Sequence, residues 1–581
     1  MPQLFHGLPA APGIGIGALF TYHTWQFERE LPSFYPAQRP EEEWQQFLKA
    51  IAAVDQELIR LVDAENSLIA EVFAAQRAIL QDPTLVNAVR AAIFNQGQGA
   101  LQATHQVIQE TAALFRNLGD DYFAGRAVDI IDIGQRLLKQ MGVHTADSHQ
   151  LQRIPPRTIL VARDLTMSEL TQAPLAHIVG LALAESTPTA HSAILARSLG
   201  IPMVCALGEA ILNQDDGQAA IIDGGLGKLL VLPTSEEVKH YTLTQEQQVA
   251  DRASALLHAQ EPAHTRDGQF VPIFANANSP EEVEQVRTIG ADGVGLLRTE
   301  YLFQNRASPP SVTEQAATYR HFAGSVQGGQ LTVRALDAGG DKPVQYINHA
   351  LEENPFLGLR GVRLLLAQPE LLRNQFRALC TVAAPNASAD SDGKEVATQL
   401  RFMLPMISTV EEVRAARGLL NEVAATMAAN GEPCGKIKVG VMIEVPSAAL
   451  LATRMAPLVD FFSIGTNDLA QYALATDRTN SSVAALADPL SPAVLRLIQM
   501  TCAAGAAAGI PVSLCGEIGG DPVVVPLLLG LGLTELSVPL PAVPLVKEAV
   551  RQCDLAHCHR LAEEALCCED ALAVRALLEP Q

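Results

Sequence analysis

Between about residues 40 and 145, apolar side chains recur every three or four positions, as at Leu58, Leu61 and Val62 and again at Val128, Ile131 and Leu138. This is the period of amphipathic helices, and Asp82-Pro83 inside the run predicts a fresh helix start. Residues 1–20 read as a short strand region. After Pro155-Pro156 the pattern alternates: a β-branched run at Thr158–Val161, an apolar run at Ile178–Leu183, a helix beginning near His191, then Met203-Val204 and Ala219–Ile222 ahead of Asp-Gly-Gly. Such alternation predicts a small α/β domain with the helical block inserted after its first strand. Residues 234–262 are Gln/Glu-rich with helical period, which predicts a linker helix.

A second region begins near Phe270. Eight strand-like runs follow at Val271–Ala277, Gly293–Leu297, Leu331–Leu336, Leu400–Met406, Ile437–Glu444, Phe461–Ile464, Pro511–Leu514 and Glu535–Val538, mostly separated by helical segments. Eight β/α units over about 300 residues predict a TIM (β/α)8 barrel, and Ala383–Gln399 reads as a surface loop extending one connection. The expected fold is therefore multidomain α/β. A discontinuous α/β domain covers 1–22 and 147–232, a helical domain 23–146, a linker helix 233–262, and the barrel 263–581.

Composition narrows the function. With 48% hydrophobic residues the 581-residue chain is globular throughout, and 41 basic against 63 acidic side chains give a net charge of −22, which opposes nonspecific nucleic-acid binding. No run is long enough to span a membrane and the N-terminus lacks a signal-peptide pattern, so a cytoplasmic location is expected. Nine irregularly spaced cysteines suggest reduced thiols. Cys553, His557, Cys558, His559, Cys567 and Cys568 lack paired knuckles and are not read as a zinc site. Gly13-Ile-Gly-Ile-Gly17 lacks the context of a nucleotide loop and reads as a closely packed strand.

The candidate chemistry has two parts. His191 stands at the start of an apolar helix, with Thr189 as expected N-cap and Gly200 as the left-handed stop. An imidazole there, beside free backbone N–H groups, is well placed to carry phosphate. The other part lies at the predicted strand ends: Arg298, Arg334 with Asp337, Glu444, Asn467-Asp468 and Cys515, with Arg360 and Arg478 in nearby loops. Forked guanidiniums suit a multiply charged oxyanion, and Glu444 and Asp468 offer hard oxygen ligands for Mg²⁺.

At these residues the chain resembles Enzyme I of the bacterial sugar phosphotransferase system, the phosphoenolpyruvate-protein phosphotransferases. The matching stretches are Ala291–Glu300, Gly339-Gly-Asp-Lys342, Glu353–Gly358, Asp460–Leu469 and Cys515-Gly-Glu517. The resemblance implies a swivelling phosphohistidine domain with an inserted helical carrier-binding domain, and a phosphoenolpyruvate-binding barrel that forms a homodimer. It implies that His191 is the phosphorylated nucleophile, that Arg298, Arg334 and Arg478 hold phosphoenolpyruvate, that Asn467 contacts its phosphate and that Arg360 joins them. Glu444 and Asp468 would hold Mg²⁺, Cys515 would protonate the enolate, and the acceptor would be an HPr-like histidine phosphocarrier. Glu517 or Glu444 is expected to keep the Cys515 thiol protonated among these cations. Two departures stand out. The family's Gly-Gly-x-Thr-Ser-His is here Ser186-Thr-Pro-Thr-Ala-His191, and its Phe-Glu-Ala/Gly-His is Phe73-Ala-Ala-Gln76. They suggest a specialised paralogue. The rival readings are a non-catalytic phosphoenolpyruvate sensor and a phosphoenolpyruvate synthase or pyruvate phosphate dikinase, the latter disfavoured because no segment offers a nucleotide-binding domain.

Overall fold

The computed structural model describes residues 2–22, 39–64, 67–117, 121–143, 150–188, 190–304, 306–326, 328–339, 344, 346–347, 352–384, 398–477, 483 and 486–578. They fall into two compact units that meet in sequence at Gln248 and Val249. In the first, β1 (Gln3–His6), β2 (Leu8–Ala11), β3 (Ile14–Tyr22), β4 (Thr158–Ala162), β5 (Ile178–Leu183), β6 (Met203–Cys205), β7 (Ala219–Asp223) and β8 (Lys228–Val231) form one sheet. Its order is β1-β8-β7-β3-β4-β5-β6-β2. Strands β3 to β6 run parallel and the remaining pairs antiparallel. The glycines of β3 serve close packing. A Cβ on Gly15 would stand 2.0 Å from the Val179 carbonyl oxygen, and one on Gly17 2.1 Å from that of Arg157.

Five helices, α1 (Pro40–Ala64), α2 (Ser67–Leu80), α3 (Pro83–Gln96), α4 (Ala100–Asn117) and α5 (Asp121–Gln140), lie between β3 and β4 in sequence. Asp82 caps α3 by accepting the Thr84 N–H, with Pro83 at the first helical position as expected. Their apolar stripes are buried against one another and against the sheet, so Phe47, Phe73, Ile93 and Ile133 share a core with Leu160, Leu183 and Ala193. Three more helices follow, α6 (Met167–Gln172), α7 (His191–Leu199) and α8 (Ser235–Leu257). Along α8, Val238 and Tyr241 pack on Ile14, Ile221 and Leu230.

Two local expectations need correction. Thr189 lies outside the described residues, and the N-cap of α7 is Ala190, which has no side-chain oxygen to accept a helix N–H. Strand β8 was not expected. Its Lys-Leu-Leu-Val shows no alternation, and only the turn held by Asp223, which accepts the Gly225 and Leu226 N–H groups, folds it back on β7.

In the second unit, β9 (Ile273–Ala277), β10 (Gly293–Leu297), β11 (Gln330–Arg334), β12 (Gln399–Leu404), β13 (Lys438–Ile443), β14 (Phe461–Ile464), β15 (Val512–Leu514) and β16 (Glu535–Pro539) close into a parallel barrel. Every expected run is represented, and β10 and β14 match to the residue. Capping boxes at Ser311/Glu314 and Thr409/Glu412 start two surrounding helices. Valine, leucine and phenylalanine fill the layer between strands and helices, with Phe376 and Phe402 ring centroids 4.9 Å apart. The barrel interior is filled too. Near its N-terminal end Arg401 pairs with Glu535 at 2.9 Å and stacks over Phe461. Of the loop expected at Ala383–Gln399, residues 385–397 lie outside the described ones.

Candidate active site

Because all eight strands are parallel, their C-terminal ends share one rim, and each delivers its next residue there. Arg298 follows β10, Arg334 ends β11, Glu444 follows β13, Gly465-Thr466-Asn467-Asp468 follow β14, and Cys515 follows β15. Glycines allow the approach. Gly339, at φ +104°, lies against Leu359 and Arg360, and Gly361, at φ +56°, follows Arg360 directly. A Cβ on Gly516 would lie 1.7 Å from Thr466 Oγ1.

The charges interlock. Arg334 donates to Glu300 Oε1 at 2.6 Å and lies 3.5 Å from Asp337 Oδ2. Arg360, 1% exposed, donates to both Asp337 oxygens at 3.1 and 3.0 Å and reaches both Asp468 oxygens at 3.4 Å. Burial opposes the charge on both guanidiniums, but the carboxylates around them more than offset it and raise their pKa. Glu444 is buried, accepts the Met406 N–H at 2.5 Å, and is pushed up to about 8 by burial and then by the charges of Asp468 and Asp337. Two donors are left over: among the described residues, Arg298 Nε and Arg334 Nε are buried without an acceptor. Buried guanidinium N–H groups without partners are costly, and they make the rim ready for an anion.

Cys515 is 5% exposed and packs on Leu296, Met403, Met442 and Phe461. Burial pushes its thiol up to about 11. The Ser463 hydroxyl, Arg334 and Arg298 pull it back, and Glu444 adds to the rise. The thiol is therefore neutral, chiefly through burial. Glu517, expected as an alternative to Glu444 in this role, is not among the main groups acting on it. Its backbone N–H instead donates to Asn467 Oδ1 at 3.3 Å.

The chain matches family models for the PEP-utilising enzymes in three parts: the N-terminal domain over residues 6–126, the mobile domain over 154–227 and the PEP-binding domain over 252–555. The chain belongs to the PEP-utilising enzyme family. It is 38% identical over 525 residues to a phosphoenolpyruvate-protein phosphotransferase of Haloferax volcanii, covering 90% of this chain and 89% of that one. It is 41% identical over 509 residues to a multiphosphoryl transfer protein of Rhodobacter capsulatus and 40% identical over 527 residues to one of Xanthomonas campestris. These alignments take in 87% and 91% of this chain, but it spans only 59% and 60% of those longer relatives.

Within the family's barrel, the structure brings together Arg298, Arg334, Arg360, Glu444, Asn467, Asp468 and Cys515. Arg478 lies outside the described residues, as do Gly340, Asp341 and Lys342. His191 opens α7 in the first unit. The loop before it holds Ser186 at φ +80°, a conformation natural to glycine, and Arg197 Nη1 donates to the Pro188 carbonyl oxygen at 2.8 Å. Sequence reasoning assigned no role to Glu300 or to Asp337, which orients Arg334 and Arg360 together. Their signal was position, since both stand within three residues of a strand-end arginine.

A divalent cation suits the donor set. Among the described residues no three His, Cys, Asp or Glu side chains form a metal-holding group. Glu444 and Asp468 supply two carboxylates, the number Mg²⁺ takes when substrate and water complete its shell. The mutual repulsion that raises Glu444 is what such a cation would relieve. Among the described residues, no helix is long and apolar enough to cross a membrane.

Proposed function

We propose that the chain transfers the phosphoryl group of phosphoenolpyruvate to its own His191, releases pyruvate, and passes the group to an HPr-like histidine phosphocarrier in the cytoplasm. The observation that carries this reading is the rim itself, where two unsatisfied arginine donors, a crowded carboxylate pair and a buried neutral thiol converge. Arg298, Arg334 and Arg360, with Arg478, hold the carboxylate and phosphate of the substrate, and Asn467 contacts the phosphate. Glu444 and Asp468 would hold Mg²⁺, which supplies charge neutralisation for the transferring phosphoryl oxygens. A ring nitrogen of His191 forms the new N–P bond as the enol C–O–P bond breaks at oxygen, leaving the enolate of pyruvate. The enolate carbon takes the Cys515 proton, giving pyruvate and a thiolate that recovers its proton from water. His191 and the barrel belong to different units, so the imidazole must visit the rim and then the carrier. A homodimer joined through the barrel unit belongs to the same reading.

Incubation with phosphate-labelled phosphoenolpyruvate and Mg²⁺ tests this. The expected result is label on the wild-type chain without ATP and none on His191→Ala. Binding without labelling would favour a phosphoenolpyruvate sensor, and labelling only with ATP a dikinase.

A further inference from the structure

The inside of the barrel holds a polar group that the chemistry above does not use. Ser463, on β14, is fully buried, and its Oγ makes no aligned hydrogen bond. Next to it is the Cys515 thiol, which in the resting state turns its proton to the Ile464 carbonyl oxygen at 3.5 Å. The backbone fixes this pairing, because the Cys515 N–H donates to the Ile464 oxygen at 3.0 Å while Ile464 faces Leu514 in the β14–β15 register. The other charged groups acting on the thiol are Glu444, Arg334 and Arg298. The side chains packed on it, Leu296, Met403, Met442 and Phe461, donate no hydrogen bond.

A buried hydroxyl that makes no aligned hydrogen bond is destabilising, and such groups in a folded protein call for a reason. Here the reason is the sulfur's change of charge. Once the thiol has given its proton to carbon, an anion stands in an apolar pocket, and a donor already in place stabilises it without reorganisation. We propose that Ser463 is a positioning residue that acts through Cys515, its hydroxyl donating to the sulfur as it becomes a thiolate during enolate protonation. This rests on the proposed phosphotransfer reaction and adds a residue to its second half. In atoms, the S–H bond breaks, a C–H bond forms on the enolate carbon, and the Ser463 O–H keeps its proton while turning it toward sulfur.

Two readouts on the full chain test it. The first is independent of turnover: the rate of Cys515 alkylation by iodoacetamide at fixed alkaline pH, read peptide by peptide. Ser463→Ala is expected to slow it about ten- to a hundredfold, the worth of a hydrogen bond to a charged group, with Ser463→Thr recovering part of the loss. The second is single-turnover chemistry with labelled phosphoenolpyruvate and Mg²⁺. In Ser463→Ala, phosphorylation of His191 should keep its rate while pyruvate formation falls by a similar factor. Circular dichroism confirms that each variant folds. Unchanged alkylation in a folded Ser463→Ala chain would overturn the proposal, as would equal slowing of both chemical steps. A wild-type chain that fails to label His191 would refute the phosphotransfer reading instead, and the alkylation comparison would still decide the role of Ser463.

Discussion

Arg360 shows how much of the site rests on single side chains. It is a fully buried cation whose fork is closed by Asp337 on one side and Asp468 on the other, over the Phe356 ring. Removing one member of a buried charged set strands the others, so Arg360→Ala should cost the barrel about 3–5 kcal/mol in urea unfolding of the full chain. Arg360→Lys should recover only part of this, since a point charge cannot satisfy two carboxylates in forked geometry. Asp337 is visible in the sequence only as a strand-end carboxylate near Arg334. Its role depends on Arg360 arriving from a loop more than twenty positions away, a meeting that no local spacing reveals.

At the scale of elements, the strand ends do the positioning. Gly516 follows Cys515 and sits against the start of the Thr466–Ala473 helix, where an added Cβ would meet Thr466 Oγ1 at 1.7 Å and Thr466 N at 2.9 Å. The hydroxyl can rotate away but the backbone nitrogen cannot. Gly516→Ala should therefore push Asn467 and Asp468 away from Cys515. The expected cost is about 1–3 kcal/mol of stability, with a larger proportional fall in pyruvate formation than in phosphoenolpyruvate binding, measurable by calorimetry beside a coupled assay. The barrel strands were readable because each is a short apolar run between helical segments. Strand β8 was not, since its partner choice is set by a turn and by the exposed edge of β7. Nor was the cap of α7: the sequence offers a threonine, but the N-cap falls one residue later, at Ala190.

At the scale of the molecule, the helical block and the sheet of the first unit are joined through buried polar groups. Arg136 of α5 donates to Ser168 Oγ at 2.9 Å, and Tyr22 donates to Glu169 Oε1 at 2.9 Å. Burial pushes Glu169 up to about 7, Asp132 adding to it, while the Thr166 N–H and Tyr22 hydroxyl pull it down. A carboxyl with a raised folded pKa binds more protons folded than unfolded. Its stabilising contribution is complete below its ordinary value of 4.5 and is lost as pH rises through about 7. The loss is about 3 kcal/mol by pH 8. Glu169→Gln keeps the capping geometry and removes the titration, so thermal unfolding of the full chain should show a smaller decline from pH 5 to pH 8 than in wild type. An undiminished decline would place the pH dependence elsewhere.

By itself the sequence determined the succession of elements and the identity of the groups at the strand ends. Hydrophobic period and strand-terminal position are local properties, and the long motif matches are literal ones. Only the tertiary structure decided what those groups are in one another's presence: that Cys515 is neutral mainly because it is buried, that Glu444 is pushed up by its neighbours, and that Asp337 and Glu300 hold the arginines. Protonation and orientation depend on burial and on the summed field of residues distant in the chain, and closure of the barrel is what brings them within reach.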